Sequence, residues 1–189
     1  MLFRSQLLAK AKDKRPTTVL GSLIAFLASQ GICIEDPSFL LKSYLCPEGV
    51  LSKKLPGLNV LEDIDFAWGL AKAIADLDIG QTVVVKDMAI VAVEGMEGTD
   101  ETIKRAGGLA GEGIVAVKVG RSFQDFRMDV PAVGLETMKS LVKARASAIA
   151  FEALKVPFFQ KKEALALADA NGITVIARKA KSSKSWKHG

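Results

Sequence analysis

Short apolar runs alternate with longer amphipathic ones over most of this chain, and that alternation restricts the fold more than any other feature. Thr82 to Val85, Met88 to Val93, Ile114 to Val119, Ser147 to Ala153 and Ile173 to Arg178 are strand-length and rich in Val, Ile and Ala. The segments around them carry helical periodicity or caps: Val60 to Asp78, Gly98 to Gly113, Leu135 to Arg145 and Lys161 to Gly172. Strands alternating with helices predict an α/β fold, a mixed β-sheet sandwiched by helices. In the first of these helices Leu61, Ile64, Trp68, Ala71 and Ile74 form the expected apolar stripe, with acids crowding the first turn. Lys86-Asp87 is the expected break of a hairpin, Thr99 the expected cap of the next helix, and Gly107-Gly108 its expected stop.

Upstream, the pattern is helical. A basic amphipathic start, Leu2 to Lys12, gives way to a helix opened at Pro16 and ended at Gly31. Ile32 to Pro37 reads as a short strand or extended exit, and Ser38 to Leu45 as a helical turn or two. The Pro- and Gly-rich stretch from Pro47 to Asn59 reads as loop and as the main boundary. The apolar run Val19 to Ala28 is far shorter than the roughly 20 residues a membrane span needs, so a cytoplasmic protein without an anchor is expected.

The net charge of +5 invites a nucleic-acid partner, but its distribution argues against one. The two ends, Met1 to Arg15 and Arg178 to Gly189, hold ten of the 26 basic residues and one of the 21 acidic ones, leaving 16 basic against 20 acidic between them. Cys33 and Cys46 have neither zinc spacing nor a disulfide framework, which suits reduced thiols.

Much catalytic chemistry is excluded. The one histidine, His188, sits in the C-terminal tail, so the body of the chain has no catalytic histidine and no histidine-ligated metal. There is no phosphate loop of the G-x-x-x-x-G-K-[ST] kind and no nucleophile elbow. Carboxylates, Lys, Arg, Thr and backbone amides remain, a set that suits magnesium and phosphate.

Three places could carry such chemistry. In "QDFRMDVPAVG", Asp125, Arg127 and Asp129 alternate, and in an extended segment they would share a face. They are either a row of surface ion pairs or a grip on phosphate and metal. "EGMEGTDE", Glu94 to Glu101, lies where a strand meets a helix N-terminus and serves either as capping or as an anion or metal site. Lys118, the one charge in "IVAVKV", either snorkels from an edge or contacts a phosphate.

These stretches resemble a known family. The motifs at Asp78 to Val85, Val93 to Glu101, Val117-Lys118 and Gln124 to Thr137 follow one another in the order of the LpxI-type UDP-2,3-diacylglucosamine diphosphatases of lipid A biosynthesis. The similarity runs from about Thr17 to Ala177. It implies a magnesium-dependent (or other divalent-cation) hydrolase that cleaves the pyrophosphate of an acylated UDP-sugar to UMP and 2,3-diacylglucosamine 1-phosphate (lipid X). It implies work at the cytoplasmic face of the inner membrane, with no nucleic acid. Asp129 is the implied essential acid, as metal ligand or water activator, with Asp125 beside it as a second catalytic carboxylate. Arg127, Lys118, Gln124, Thr99, Asp100 and Thr137 are implied substrate contacts, and Glu97 a second metal ligand.

The family opens on a Rossmann-like domain with a glycine-rich turn that these residues lack. The expected organisation is therefore a helical remnant of that domain plus linker at 1–50, a catalytic-type α/β domain at 51–178 and a basic disordered tail at 179–189. Expected partners are a separate N-terminal domain or a second copy of the chain. The alternatives are a non-catalytic lipid- or nucleotide-binding remnant and an interaction domain completed by another chain.

Overall fold

The computed structural model describes residues 15–179. The amphipathic segment expected at Leu2 to Lys12 and all but the first residue of the expected tail lie outside the described residues. Two compact units are distinguished: one holds the chain up to Ser43 together with Phe123–Val130, the other Tyr44–Ser122 and the chain from Pro131 onward.

In the first unit, helix α1 (Pro16–Ser29) starts on a proline, whose missing N–H costs nothing at a helix N-terminus. It ends at Gly31, whose φ of +79° reverses the chain. An extended exit without strand pairing leads to the short helix α2 (Ser38–Leu41) and a 3-10 turn (Lys42–Tyr44). Residues 123–130 lie against α1: a Cβ on Gly21 would stand 3.5 Å from Met128 Cε.

The second unit is a six-stranded mixed sheet. Its strands are β1 (Gly49–Val50), β2 (Thr82–Lys86), β3 (Ala89–Val93), β4 (Val115–Lys118), β5 (Ala148–Glu152) and β6 (Thr174–Arg178), in the order β1-β6-β5-β4-β2-β3. β4, β5 and β6 run parallel, and β2 runs antiparallel to both β4 and β3. β1 pairs antiparallel with β6 inside the stretch expected to be loop. Its two residues are too few to show a period.

Among the described residues this unit has four helices, α3 (Leu58–Asp76), α4 (Thr99–Ala110), α5 (Leu135–Lys143) and α6 (Lys161–Ala170). Alternation along each strand sends side chains to opposite faces. Val83, Val85, Val115, Val117, Ala148, Ala150 and Ile176 pack with α3. Val84, Ala116, Ile149, Phe151 and Val175 pack with Ile103 and Ala106 of α4, Met138 and Leu141 of α5, and Ala164 and Ala168 of α6. One helix covers one face and three cover the other, so the central strands are apolar up to their ends at this sheet's carboxyl edge, as doubly covered parallel strands are.

Local expectations shift in three places. The α3 stripe is centred on Val60, Ile64, Ala67, Trp68, Ala71 and Ala75, while Leu61 is exposed and Ile74 half-buried. The helix starts at Leu58, so the acids fall in its second turn. There Asp63, 5% exposed, accepts hydrogen bonds from the N–H groups of Asp87 (3.3 Å) and Met88 (2.6 Å). Those two residues form the β2–β3 turn with φ of +52° and +58°, one position later than the expected break. A buried carboxylate thus holds two non-glycine residues in the left-handed region. Finally, Gly98 caps α4 and Thr99 is its first helical residue. The helix runs through Gly107 and Gly108 to Ala110, and Gly107 is where α4 touches the end of α5: a Cβ there would lie 2.8 Å from Ala144 Cβ.

One glycine ties β2 to the residue after β3. A Cβ on Gly80 would lie 2.1 Å from the backbone oxygen of Glu94. Gly80→Ala is expected to lower the unfolding free energy by about 2–3 kcal/mol. Gly108→Ala, exposed and with open space around it, should raise it by about 0.5–1 kcal/mol. Urea denaturation of the two variants checks both signs, and equal effects would contradict the close approach at Gly80.

Candidate functional site

The strand directions bring the carboxyl ends of β3, β4, β5 and β6 and the start of β2 to one edge of the sheet. Thr82 pairs with Lys118, Lys118 with Phe151, and Glu152 with Arg178. In open α/β sheets this carboxyl edge is where ligands bind. The buried charged side chains Glu94, Lys118 and Glu152 collect there, on both faces, while buried Asp63 sits at the opposite end beside the β2–β3 turn.

On the α4 face, Lys118 continues the alternation of Ala116, and Thr82 that of Val84. The lysine is 5% exposed and does not snorkel. Its ammonium donates to Thr99 Oγ1 at 2.6 Å and to Thr82 Oγ1 at 3.4 Å, and lies 3.9 Å from Glu94 Oε2. Thr99 donates to Glu94 Oε1 at 2.9 Å, and the Gln81 N–H donates to Glu94 Oε2 at 3.0 Å. Glu94 is 9% exposed and Thr82 fully buried. Removing one member of such a pair strands the other, at a cost of about 3–5 kcal/mol.

On the α3 face, Glu152 continues the alternation of Ala148 and Ala150 and meets Lys72 of α3 at 3.2 Å and Lys155 at 3.4 Å. Glu152 is 3% exposed. These groups fix the chain leaving β4. The Gly120 N–H donates to Glu152 (3.0 Å), and Lys72 donates to the Gly120 carbonyl (2.6 Å). Lys155 donates to the Arg121 carbonyl (3.3 Å), and the Arg121 guanidinium pairs with Asp78. Ser122 gives its N–H and its hydroxyl to Asp76, both at 2.7 Å.

Residues 123–130 belong to the other unit and are not extended as expected. Asp125 O accepts from the N–H groups of Met128 (3.1 Å) and Asp129 (3.3 Å), making a turn, so Asp125, Arg127 and Asp129 do not line one face of a strand. The reason is local. Asp125 Oδ1 accepts from the Arg127 backbone N–H at 3.0 Å, the side-chain-to-backbone bond by which aspartate favours turns. The same carboxylate receives Arg127 Nε at 3.0 Å and Nη2 at 2.7 Å. Hydrogen bonding from Arg127 holds the Asp125 carboxyl below its ordinary value, which makes it a weak base. Gln124 donates to the Asp129 carbonyl at 2.7 Å. Gln124, Asp125 and Arg127 line an open cavity of about 450 Å³ with Cys33, Ile34, Glu35 and Asp36.

The expected site residues therefore fall into two groups. Lys118, Thr99, Asp100, Glu97 and Thr137 lie in the sheet unit, and Gln124, Asp125, Arg127 and Asp129 in the other. Lys118 and Thr99 are brought together. Thr137 is buried in the first turn of α5. Glu97 pairs with Arg105 at 2.5 Å and accepts the Gly95 N–H at 3.0 Å; the Arg105 hydrogen bond is the main reason its carboxyl lies below the ordinary value. A cation at Glu97 would have to displace that guanidinium. Asp100 is different: its Oδ1 is buried and accepts no hydrogen bond from a described residue, the kind of oxygen a hard cation takes. Among the described residues no group of three His, Cys, Asp or Glu side chains could hold a metal. Magnesium bound by one or two carboxylates and a substrate's phosphates needs no such group.

Sequence reasoning missed Thr82, Glu94, Lys72 and Glu152 as members of the site. Thr82 and Glu94 lie inside the quoted motifs: Thr82 opens the apolar run Val83 to Val85, and Glu94 follows the run Ala89 to Val93.

The carboxyl edge of an open α/β sheet is the usual place for a ligand, and here it gathers buried charge. The LpxI C-terminal domain profile matches residues 47–176. Over 175 residues the chain is 30% identical to the UDP-2,3-diacylglucosamine pyrophosphatase LpxI of Caulobacter vibrioides, covering 88% of this chain and 62% of that protein. The chain belongs to the LpxI family and spans about 62% of the length of this relative.

The Asp76 clamp makes acid stability testable. Burial alone would raise the Asp76 carboxyl, but the Ser122 N–H and hydroxyl, with Lys72 and Lys155, outweigh it and hold the group below its ordinary value. A lowered folded value stabilises fully above the unfolded value of about 4 and loses that contribution as pH falls through it. The stability gap between the wild-type chain and Asp76→Asn is expected to stay constant from about pH 8 to about pH 5 and to narrow below about pH 4. A gap unchanged down to about pH 2 would show that the carboxylate contributes no pH-dependent stability.

Proposed function

We propose that the protein hydrolyses the pyrophosphate bond of UDP-2,3-diacylglucosamine, releasing UMP and 2,3-diacylglucosamine 1-phosphate. The observation that carries this reading is the buried Lys118–Thr99–Glu94 network, held at the carboxyl edge of a sheet whose strands fall almost wholly within the family match. A lysine ammonium at the first residue of α4 adds its charge to the positive end of that helix, which suits a diphosphate. In the other unit, Arg127 is the proposed phosphate contact. Asp129 orients and deprotonates the attacking water, and Asp125 serves by holding Arg127.

Magnesium is the proposed cofactor. Within the sheet unit, Asp100 is the carboxylate proposed to hold it, in preference to the Arg105-bound Glu97. The ion would neutralise charge on the diphosphate oxygens. No helix among the described residues is long and apolar enough to cross a membrane. The proposed place of action is the cytoplasmic face of the inner membrane, where an acylated substrate would be met.

The test is UMP release from UDP-2,3-diacylglucosamine with and without magnesium. Asp129→Ala is expected to lower release by about 100-fold or more, the scale of a lost general base. Its unfolding free energy should stay within about 0.5 kcal/mol of the parent. Turnover retained in that variant removes the assigned role. Substrate binding with no UMP release by the parent chain at any magnesium level supports a binding remnant instead.

A further inference from the structure

We propose that Glu94 is a positioning residue: its carboxylate sets the direction of the Thr99 hydroxyl so that Thr99 must accept from Lys118, which fixes the ammonium at the sheet's carboxyl edge. The proposal rests on the functional reading above for what Lys118 does, but its geometry stands alone.

The proton inventory carries it. Lysine only donates, so Thr99 Oγ1, 2.6 Å from Lys118 Nζ, accepts there. A threonine hydroxyl has one proton and two lone pairs. Its proton goes to Glu94 Oε1 at 2.9 Å. Its second lone pair faces Thr82 Oγ1 at 3.3 Å, and Thr82 in turn accepts from Lys118 at 3.4 Å. Every donor in this ring has an acceptor in only one arrangement, and the ionised Glu94 defines it.

Glu94 is itself held. Its N–H donates to the Thr82 carbonyl at 2.9 Å, its Oε2 accepts from the Gln81 N–H at 3.0 Å, and its backbone oxygen fills the space that the missing side chain of Gly80 leaves. A carboxylate serves both Thr99 and Gln81. A carboxamide serves one and turns a donor toward the other. Glu94→Gln therefore keeps the shape of the residue and breaks the ring.

The experiment uses the full chain and two readouts. The first is the side-chain ammonium signal of Lys118 in 15N-labelled protein, assigned by its absence in Lys118→Met. A buried, hydrogen-bonded ammonium exchanges slowly and is expected to be visible. The signal should persist in Thr99→Ser, which keeps the hydroxyl, and disappear in Glu94→Gln and in the isosteric Thr99→Val. The second is steady-state UMP release. Glu94→Gln and Thr99→Val should each lower kcat about tenfold or more, the scale of one charge-assisted hydrogen bond, with KM within about threefold. Because they act on one ring, the double variant should lose little beyond either single change. Glu94→Asp, one methylene short, should not restore kcat, and Thr99→Ser should.

An unchanged Lys118 signal in Glu94→Gln, or additive losses in the double variant, would overturn the proposal. If Glu94→Gln does not fold, Thr99→Val against Thr99→Ser makes the same discrimination. If the parent chain releases no UMP, the functional reading fails, while the Lys118 signal still decides the positioning role.

Discussion

A charged side chain at the end of a doubly covered strand has nowhere to send its charge except along the sheet edge. Lys118 and Glu152 stand at the ends of adjacent parallel strands, one 5% and the other 3% exposed. Their side chains point to opposite faces, because Lys118 shares the face of Ala116 and Glu152 that of Ala150. Each must be neutralised within its own layer: Lys118 by the Glu94 network near α4, and Glu152 by Lys72 from α3 and by Lys155. The cost of a stranded buried charge is several kcal/mol on either side, comparable to a domain's whole net stability of about 5–15 kcal/mol. Much of the edge is arranged around those two needs.

The mixed topology is what makes the α4 side possible. In a wholly parallel sheet the strand beside β4 would also end at this edge. Here β2 runs the other way, so it begins there and brings Gln81 and Thr82 to the end of Lys118's strand. β3 then returns in parallel with β4 and delivers Glu94 directly after its last residue. Gly80 lets the two chain segments approach more closely than any side chain would permit. Thus one hairpin, with its turn pinned by Asp63 at the far end, supplies the Thr82 hydroxyl and the Glu94 carboxylate beside the lysine, while the closer hydroxyl, Thr99, comes from α4.

The layers of the fold were legible because burial on both faces writes itself as apolar runs. β4, β5, β6 and the hairpin lie within a residue or two of where their composition puts them. What was not legible depended on partners distant in the chain. Gly107 and Gly108 read as a stop because glycine costs about 1 kcal/mol in a helix, yet the helix continues through both, with Gly107 packed closely on Ala144. β1 has two residues and owes its existence to β6. The Asp125, Arg127, Asp129 alternation suggested a strand, but one backbone N–H captured by Asp125 was enough to make a turn. In the site, Lys118 and Thr99 were legible as unusual residues in their own segments. Glu94 and Thr82 were not, because their importance comes only from standing beside that lysine.

The pairing of Arg127 with Asp125 limits what either residue can do. A guanidinium has five N–H donors, and Asp125 uses the edge formed by Nε and Nη2. The edge formed by Nη1 and the second Nη2 proton is left, and it is itself a fork that matches two phosphate oxygens. Arg127 can thus hold its aspartate and take a phosphate at once, with its orientation already set and less freedom to lose on binding. Asp125 has both oxygens committed to that arginine, so proton transfer by Asp125 would require breaking the pair. Of the two carboxylates flanking Arg127, Asp125 is therefore the one that orients the cation.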